Sequence, residues 1–324
     1  MNSADQNTAR RRMAPQGMRV DWLERPGGVK LRAAYWQATQ SPSNGTVILL
    51  HGWREFIEKY YETVADLLGR GYGVATMDWR GQGLSTRPLA DRQKGYARSF
   101  DGNLDDVDAL IDQTLSAGLP EPLFLMAHSF GGNCALRYLG RSQGQNKDKV
   151  IRAVLLAPMV GINFDPLPAS FAPLIIKGAL KMGLGQTYAP FQSAYGEADR
   201  MRQMDVLTSD PDRMADEIMA CRANPDLALG GVTYGWLGAA LDAIKDLERP
   251  GLAEGMRLPM LFALAGDERV VDNKATRRLI KRLPDARVHE IPGARHEILK
   301  ERDVYRDRFW AAFDDFMRVE RREG

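Results

Sequence analysis

The 324-residue chain has only two cysteines, Cys134 and Cys221, and only four histidines. Two thiols so far apart supply neither a disulfide framework nor a thiolate metal site. No apolar run approaches the roughly 20 residues needed to span a bilayer. Net charge is also scarce: 44 Lys and Arg against 42 Asp and Glu leave +2, which gives no warrant for a nucleic-acid partner. The basic cluster near the start, Arg10-Arg11-Arg12, is not followed by an apolar core of about 7–15 residues and does not read as a secretory signal. Residues 1–17 are therefore expected to form a solvated, disordered tail, with weak attraction to anionic lipid as the lesser reading. These absences point to a cytoplasmic protein, with contact to the inner membrane as a peripheral option. What is present, 44% hydrophobic and 27% charged residues, suits a soluble globular chain of one large domain carrying an insertion.

Apolar periodicity organises that domain. Met18 to Trp36 alternates around Pro26-Gly27-Gly28 and predicts a β-hairpin. Short apolar runs at Thr46–Leu50, Tyr72–Asp78, Leu123–Met126 and Ala153–Leu156 predict buried strands, and Glu62–Gly69, Asp105–Ala117 and Asn133–Leu139 predict the helices between them. Strands alternating with helices imply an α/β fold, a mostly parallel sheet covered on both faces. The rhythm breaks over 158–247, a Met-, Gly- and Pro-rich stretch read as a helical cap, and resumes with a strand at Met260–Ala265, a helix at Lys274–Leu283 and a strand at Arg287–Ile291. Residues 18–157 and 248–324 thus form the core, closed by a helix over Asp303–Arg318.

The chemistry centres on Ser129. It ends the apolar run Leu123-Phe124-Leu125-Met126-Ala127-His128 and precedes Phe130-Gly131-Gly132 and a helix. A serine at a sharp strand-to-helix turn, with small residues two positions either side, is a nucleophile elbow; Ala127 stands where Gly-x-Ser-x-Gly has its first glycine. Serine nucleophiles need a base, a group that orients the base, and donors for an oxyanion. Of the histidines, His51 and His128 precede or adjoin the serine and suit structural roles, and His289 lies within a strand. His296 stands in the loop beyond that strand, at the edge where open α/β sheets collect their functional groups, and is the expected base. The acid should follow the Met260–Ala265 strand, where Asp267 and Glu268 stand side by side; Asp272 suits a helix N-cap better. The expected oxyanion donors are the Phe130 N–H, at a helix start, and the Trp53 N–H in His51-Gly52-Trp53. Asp78-Trp79-Arg80-Gly81-Gln82-Gly83-Leu84-Ser85 reads as a pinned glycine turn, since it lacks the third glycine and the lysine of nucleotide loops. Neither metal nor cofactor is expected, because no ligand cluster has suitable spacing.

Taken together, His51-Gly52, Asp78-x-Arg80-Gly81-x-Gly83-x-Ser85, His128-Ser129-x-Gly131-Gly132 and His296 resemble the monoacylglycerol lipase and lysophospholipase branch of the α/β-hydrolases. Glu268-Arg269-Val270-Val271-Asp272-Asn273, Gly293-Ala294-x-His296-Glu297-Ile298-Leu299 and Gly230-Gly231-x-Thr233-Tyr234-x-Trp236 are similar to the bacterial lysophospholipases within it, over about residues 20–318. The resemblance places the acid just before Arg269-Val270-Val271, on Glu268, although the family's usual residue there is Asp, so Asp267 stays as the alternative. It implies ester hydrolysis of a lysophospholipid or monoacylglycerol through an acyl-enzyme, without a cofactor. The cap residues Phe164, Phe171, Leu174, Ile175, Ile176, Leu180, Met182 and Leu184 could cover an acyl chain or simply pack cap helices. Hydrolysis of small esters, peptides or C–C bonds would use the same triad, and a non-catalytic binding protein would normally have lost part of it.

Overall fold

The computed structural model describes residues 11–141, 144–164 and 171–318. Strands β1 (Arg19–Arg25) and β2 (Val29–Trp36) form the hairpin, turning at Gly27 and Gly28 with φ of 78° and 73°. There follow β3 (Thr46–Leu50), α1 (Tyr61–Gly69), β4 (Gly73–Met77), α2 (Asp101–Ser116), β5 (Leu123–His128), α3 (Phe130–Gly140) and β6 (Val150–Leu156). The insertion holds α4 (Ala172–Lys181), α5 (Glu197–Arg202), α6 (Met204–Leu207), α7 (Pro211–Ala223) and α8 (Tyr234–Leu247). β7 (Met260–Ala265), α9 (Asn273–Ile280), β8 (Ala286–Ile291) and α10 (Asp303–Met317) complete the chain.

The eight strands make one sheet in the order β1-β2-β4-β3-β5-β6-β7-β8. The pairs β1·β2 and β2·β4 are antiparallel, and every later pair is parallel. Strands β3, β5 and β7 are buried along their whole length, as parallel strands covered on both faces must be. Alternation sorts their side chains. Ile48, Leu50, Leu125 and Ala127 pack on one face with Val107, Ile111 and Leu136 of α2 and α3. Val47, Leu49, Phe124 and Met126 pack on the other with Val64 of α1 and Phe309 and Phe313 of α10. Parallel pairing also brings the carboxyl ends of β3, β5, β7 and β8 to one edge, where the reactive loops begin.

Two sequence expectations need correction. Helix α8, assigned to the cap by the 158–247 boundary, belongs to the core: Trp236, Ala239, Ala240, Ala243 and Leu247 are buried in the cluster that holds α2 and α3. Its small residues let it lie close, and Thr233 caps it by accepting the Trp236 N–H. The tail expectation also fails over its described part. Arg11 and Arg12 both pair with Asp216 of α7, at 2.6 and 2.5 Å, and Trp36 Nε1 donates to Pro15 O at 3.1 Å. The remainder of the tail, Arg10 included, lies outside the described residues.

Candidate active site

Strand β5 ends in a forced turn at Ser129, a non-glycine residue at φ 51° and ψ −115°. The turn is held on both sides: Ser129 N–H donates to Leu156 O (3.0 Å), and its carbonyl accepts from Met159 N (2.9 Å) and Asn133 N (3.1 Å). Such backbone strain survives only where its surroundings fix it, and it lifts Oγ clear of the sheet. Gly131 shows why the next position of the elbow must be small. A Cβ there would stand 2.5 Å from both Leu50 O and His51 O, driving α3 away from the end of β3. The Ala127 methyl, by contrast, is fully buried in the core beneath the elbow.

His296, in the loop after β8, reaches this serine. Its Nε2 lies 2.9 Å from Ser129 Oγ, and its Nδ1 lies 2.9 and 3.0 Å from the two Glu268 carboxylate oxygens. With the Nδ1 proton donated to Glu268, Nε2 is left to accept the serine hydroxyl proton. Glu268 Oε1 also accepts the amides of Val270 (2.7 Å) and Val271 (3.1 Å). Burial alone would raise the Glu268 carboxyl, but the imidazole and these amides outweigh it and hold it below the usual carboxylate range. Asp267 turns away. It pairs with Arg269 at 3.1 Å, approaches Arg295 at 3.9 Å, and its side chain is 40% exposed. Neighbouring side chains in an extended loop diverge, so the two carboxylates have opposite surroundings. Asp272 caps α9 by accepting the Lys274 N–H.

The remaining histidines stand elsewhere. His289 lies within β8, and His51 is fully buried with Nδ1 2.8 Å from Gly52 O. His128 braces the reactive histidine from beneath, with Nε2 3.1 Å from His296 O and Nδ1 3.3 Å from Glu55. Burial would lower the His128 pKa, yet the Glu55 carboxylate outweighs it and raises it.

The turn after β3 satisfies the amides on either side of Trp53. Gly52 N–H is taken by Glu55 Oε2, and Arg54 N–H by Gln82 Oε1 at 2.6 Å. The Trp53 N–H between them, like that of Phe130 at the start of α3, has no acceptor among the described residues. Gln82 is presented by the Asp78–Ser85 turn, which thereby acquires a purpose. Buried Asp78 accepts from Ile57 N, Leu84 N and Arg32 Nε at 2.8–2.9 Å, and a Cβ on Gly83 would lie 2.2 Å from its Cγ.

Ser129 and His296 open into a cavity of about 370 Å³, with apolar walls that include Met159, Val206, Trp236, Leu237 and Val270. None of the cap residues singled out from the sequence lines it. Phe171, Leu174, Ile175, Leu180, Met182 and Leu184 are exposed on the outer side, and Ile176 is packed inward. Sequence reasoning also missed the charged floor. Buried Lys59 Nζ lies 2.8 Å from each of Glu55, Glu217 and Glu297, and Arg200 forks onto Glu217 at 2.5 and 2.7 Å. Glu55 and Lys59 stand four residues apart, but only the fold brings Arg200, Glu217 and Glu297 to them. Among the described residues no group of three or more His, Cys, Asp or Glu is placed to hold a metal ion.

A strained serine between parallel strands, hydrogen-bonded to a histidine that a carboxylate orients, defines a serine hydrolase on the α/β-hydrolase fold. The comparisons narrow this. The profile of the family described as serine aminopeptidase, S33, matches residues 41–303, and the chain belongs to that family. It is 32% identical to the probable lysophospholipase L2 of Haemophilus influenzae over 93% of this chain and 92% of that one. Lysophospholipase L2 of Escherichia coli K12 is 31% identical, over 83% and 79% of the two chains. Among solved structures, monoglyceride lipase of Saccharomyces cerevisiae, a soluble variant with a substrate analogue, superposes with a TM-score of 0.73 at 18% identity, covering 94% of this chain and 96% of that one. That likeness speaks for the fold.

Proposed function

We propose that this hydrolase cleaves the carboxylic ester of a single-chain lipid, a lysophospholipid or a monoacylglycerol. The supporting observation is the continuous Glu268–His296–Ser129 chain of hydrogen bonds opening into a largely apolar cavity. The two lysophospholipase relatives, similar along most of the chain, favour this substrate class over peptides and small esters. Ser129 Oγ attacks the ester carbonyl as His296 Nε2 takes its proton, and Glu268 stabilises the imidazolium. The Trp53 and Phe130 amides receive the negative charge that develops on the carbonyl oxygen, each worth about 3 kcal/mol. His296 then returns the proton to the leaving alcohol. Water, deprotonated by the same nitrogen, releases the fatty acid and restores the serine.

Among the described residues no helix is long and apolar enough to cross a membrane. The exposed Phe171, Leu174, Ile175 and Met182 support peripheral contact with a lipid surface, where such substrates reside. A panel of lysophospholipids, monoacylglycerols and p-nitrophenyl esters of graded length tests the reading, with Ser129→Ala as the blank and a fluorophosphonate probe to report the nucleophile. Long-chain glycerol esters should be preferred, and the probe should label Ser129 alone. Activity that falls steadily as the acyl chain lengthens would favour a small-ester hydrolase instead.

A further inference from the structure

Three guanidinium groups line the reactive cavity, those of Arg54, Arg200 and Arg269. Arg200 is committed to Glu217, Glu297 and Gln203, and Arg269 to Asp267. Arg54 differs. Its Nε donates to Leu229 O at 3.1 Å and its Nη1 reaches Gln203 Oε1 at 3.4 Å, but among the described residues no carboxylate lies within ion-pair distance. The carboxylates on the cavity wall are spoken for: Glu55 by Lys59 and Tyr60, Glu297 by Lys59 and Arg200. A partly buried cation with no counter-charge is costly, and such groups are ordinarily paired. Burial, then the neighbouring Arg200 charge, lowers the Arg54 pKa to about 10, against a smaller opposing pull from Glu217. The backbone pays too, since Arg54 is held at φ 61°, a left-handed conformation rare for a side-chain-bearing residue.

Position says what the cation would meet. Arg54 directly follows Trp53 and lines the same cavity as Ser129, and its side chain reaches across to Leu229 and Gln203. Because Arg54 and Ser129 line one cavity of about 370 Å³, an ester held at Ser129 would extend its neighbouring groups into the space that Arg54 borders. In a lysophospholipid the glycerol backbone separates the ester from a phosphodiester, whereas a monoacylglycerol carries only hydroxyls there. Guanidinium is the side chain best matched to phosphate oxygens.

We propose that Arg54 binds the phosphate of a glycerophospholipid headgroup and so selects lysophospholipids over monoacylglycerols. This rests on the ester-hydrolase reading of the same cavity. The test compares kcat/KM for a lysophosphatidylcholine and a monoacylglycerol of identical acyl chain in the unmodified protein, Arg54→Gln and Arg54→Lys. The ratio of the two should fall about tenfold or more in Arg54→Gln, and less in Arg54→Lys, which keeps the charge. Glycerophosphocholine should also raise the melting temperature of the unmodified protein and not that of Arg54→Gln. An unchanged ratio, or equal loss on both substrates, overturns the proposal by making Arg54 irrelevant or merely structural. Stabilisation by inorganic phosphate but not by glycerophosphocholine overturns it in favour of a free-phosphate site. If the unmodified protein hydrolyses neither ester, the hydrolase reading fails, and the melting experiment still reports on Arg54 separately.

Discussion

Ser129 is supported on two sides by different means. On the core side, short turns at strand ends place each group: the elbow after β5, the amide turn after β3 and the Glu268 loop after β7. On the cap side, the floor is made of buried charges contributed by Glu55, Lys59, Arg200, Glu217 and Glu297. The core side needs local backbone geometry, which glycine, strand pattern and chain order announce. The cap side needs long-range charge balance, which no spacing announces. Disturbing the first should remove activity and spare the fold; disturbing the second should cost stability first.

The largest effect is expected at the acid. Glu268→Gln keeps the size of the side chain but cannot hold the same histidine tautomer or balance an imidazolium, and losing the carboxylate of a triad can cost about 10⁴-fold in kcat. Asp267→Asn removes only solvent-facing pairs with Arg269 and Arg295 and should leave kcat within about twofold. Steady-state kinetics on one soluble ester compares them. A larger loss from Asp267→Asn would reverse the assignment of the acid.

Next is Lys59→Met, which opens the cap side. It strips three buried carboxylates of a shared cation, and breaking such a cluster costs about 3–5 kcal/mol. Urea denaturation should show that loss; a change below about 1 kcal/mol would mean the cluster does not bind the cap. Acid should expose the same weakness. Burial would raise the Glu217 carboxyl, but Arg200 and Lys59 bring it down to about 2. A carboxyl depressed on folding stabilises the protein fully above its ordinary range and ceases to do so as pH falls through about 2. Without Lys59 the depression shrinks, so acid unfolding should begin at higher pH.

The sheet and the order serine, acid, histidine were legible because apolar alternation and turn residues are local signals. Helix α8 was not, since its small buried residues, Gly238, Ala239, Ala240 and Ala243, look the same in a cap as in a core. The apolar residues of α4 misled for a related reason: Leu174 and Ile175 have the composition of a pocket wall, but the helix turns them outward. The choice between Asp267 and Glu268 depended on likeness to a family, because the sequence alone shows two adjacent carboxylates. Arg54 was invisible as a lone cation, since only the fold reveals which arginines lack a partner.

The smallest expected effect lies at the N-terminal edge of the cap side. Arg10-Arg11-Arg12 has the composition of a solvated tail, yet Asp216 of α7 receives both Arg11 and Arg12. Asp216 is nearly buried while the two arginines are partly exposed, so the pairs contribute no more than about 1 kcal/mol each. Such an energy scarcely changes global stability but governs how often the segment lifts away. Asp216→Asn should therefore leave kcat/KM within about twofold and speed trypsin cleavage after Arg11 and Arg12 several-fold. Cleavage at an unchanged rate would show that the Trp36–Pro15 contact, not the ion pairs, holds the segment down. Either result separates charge from packing at a site where the cap, the tail and the core meet.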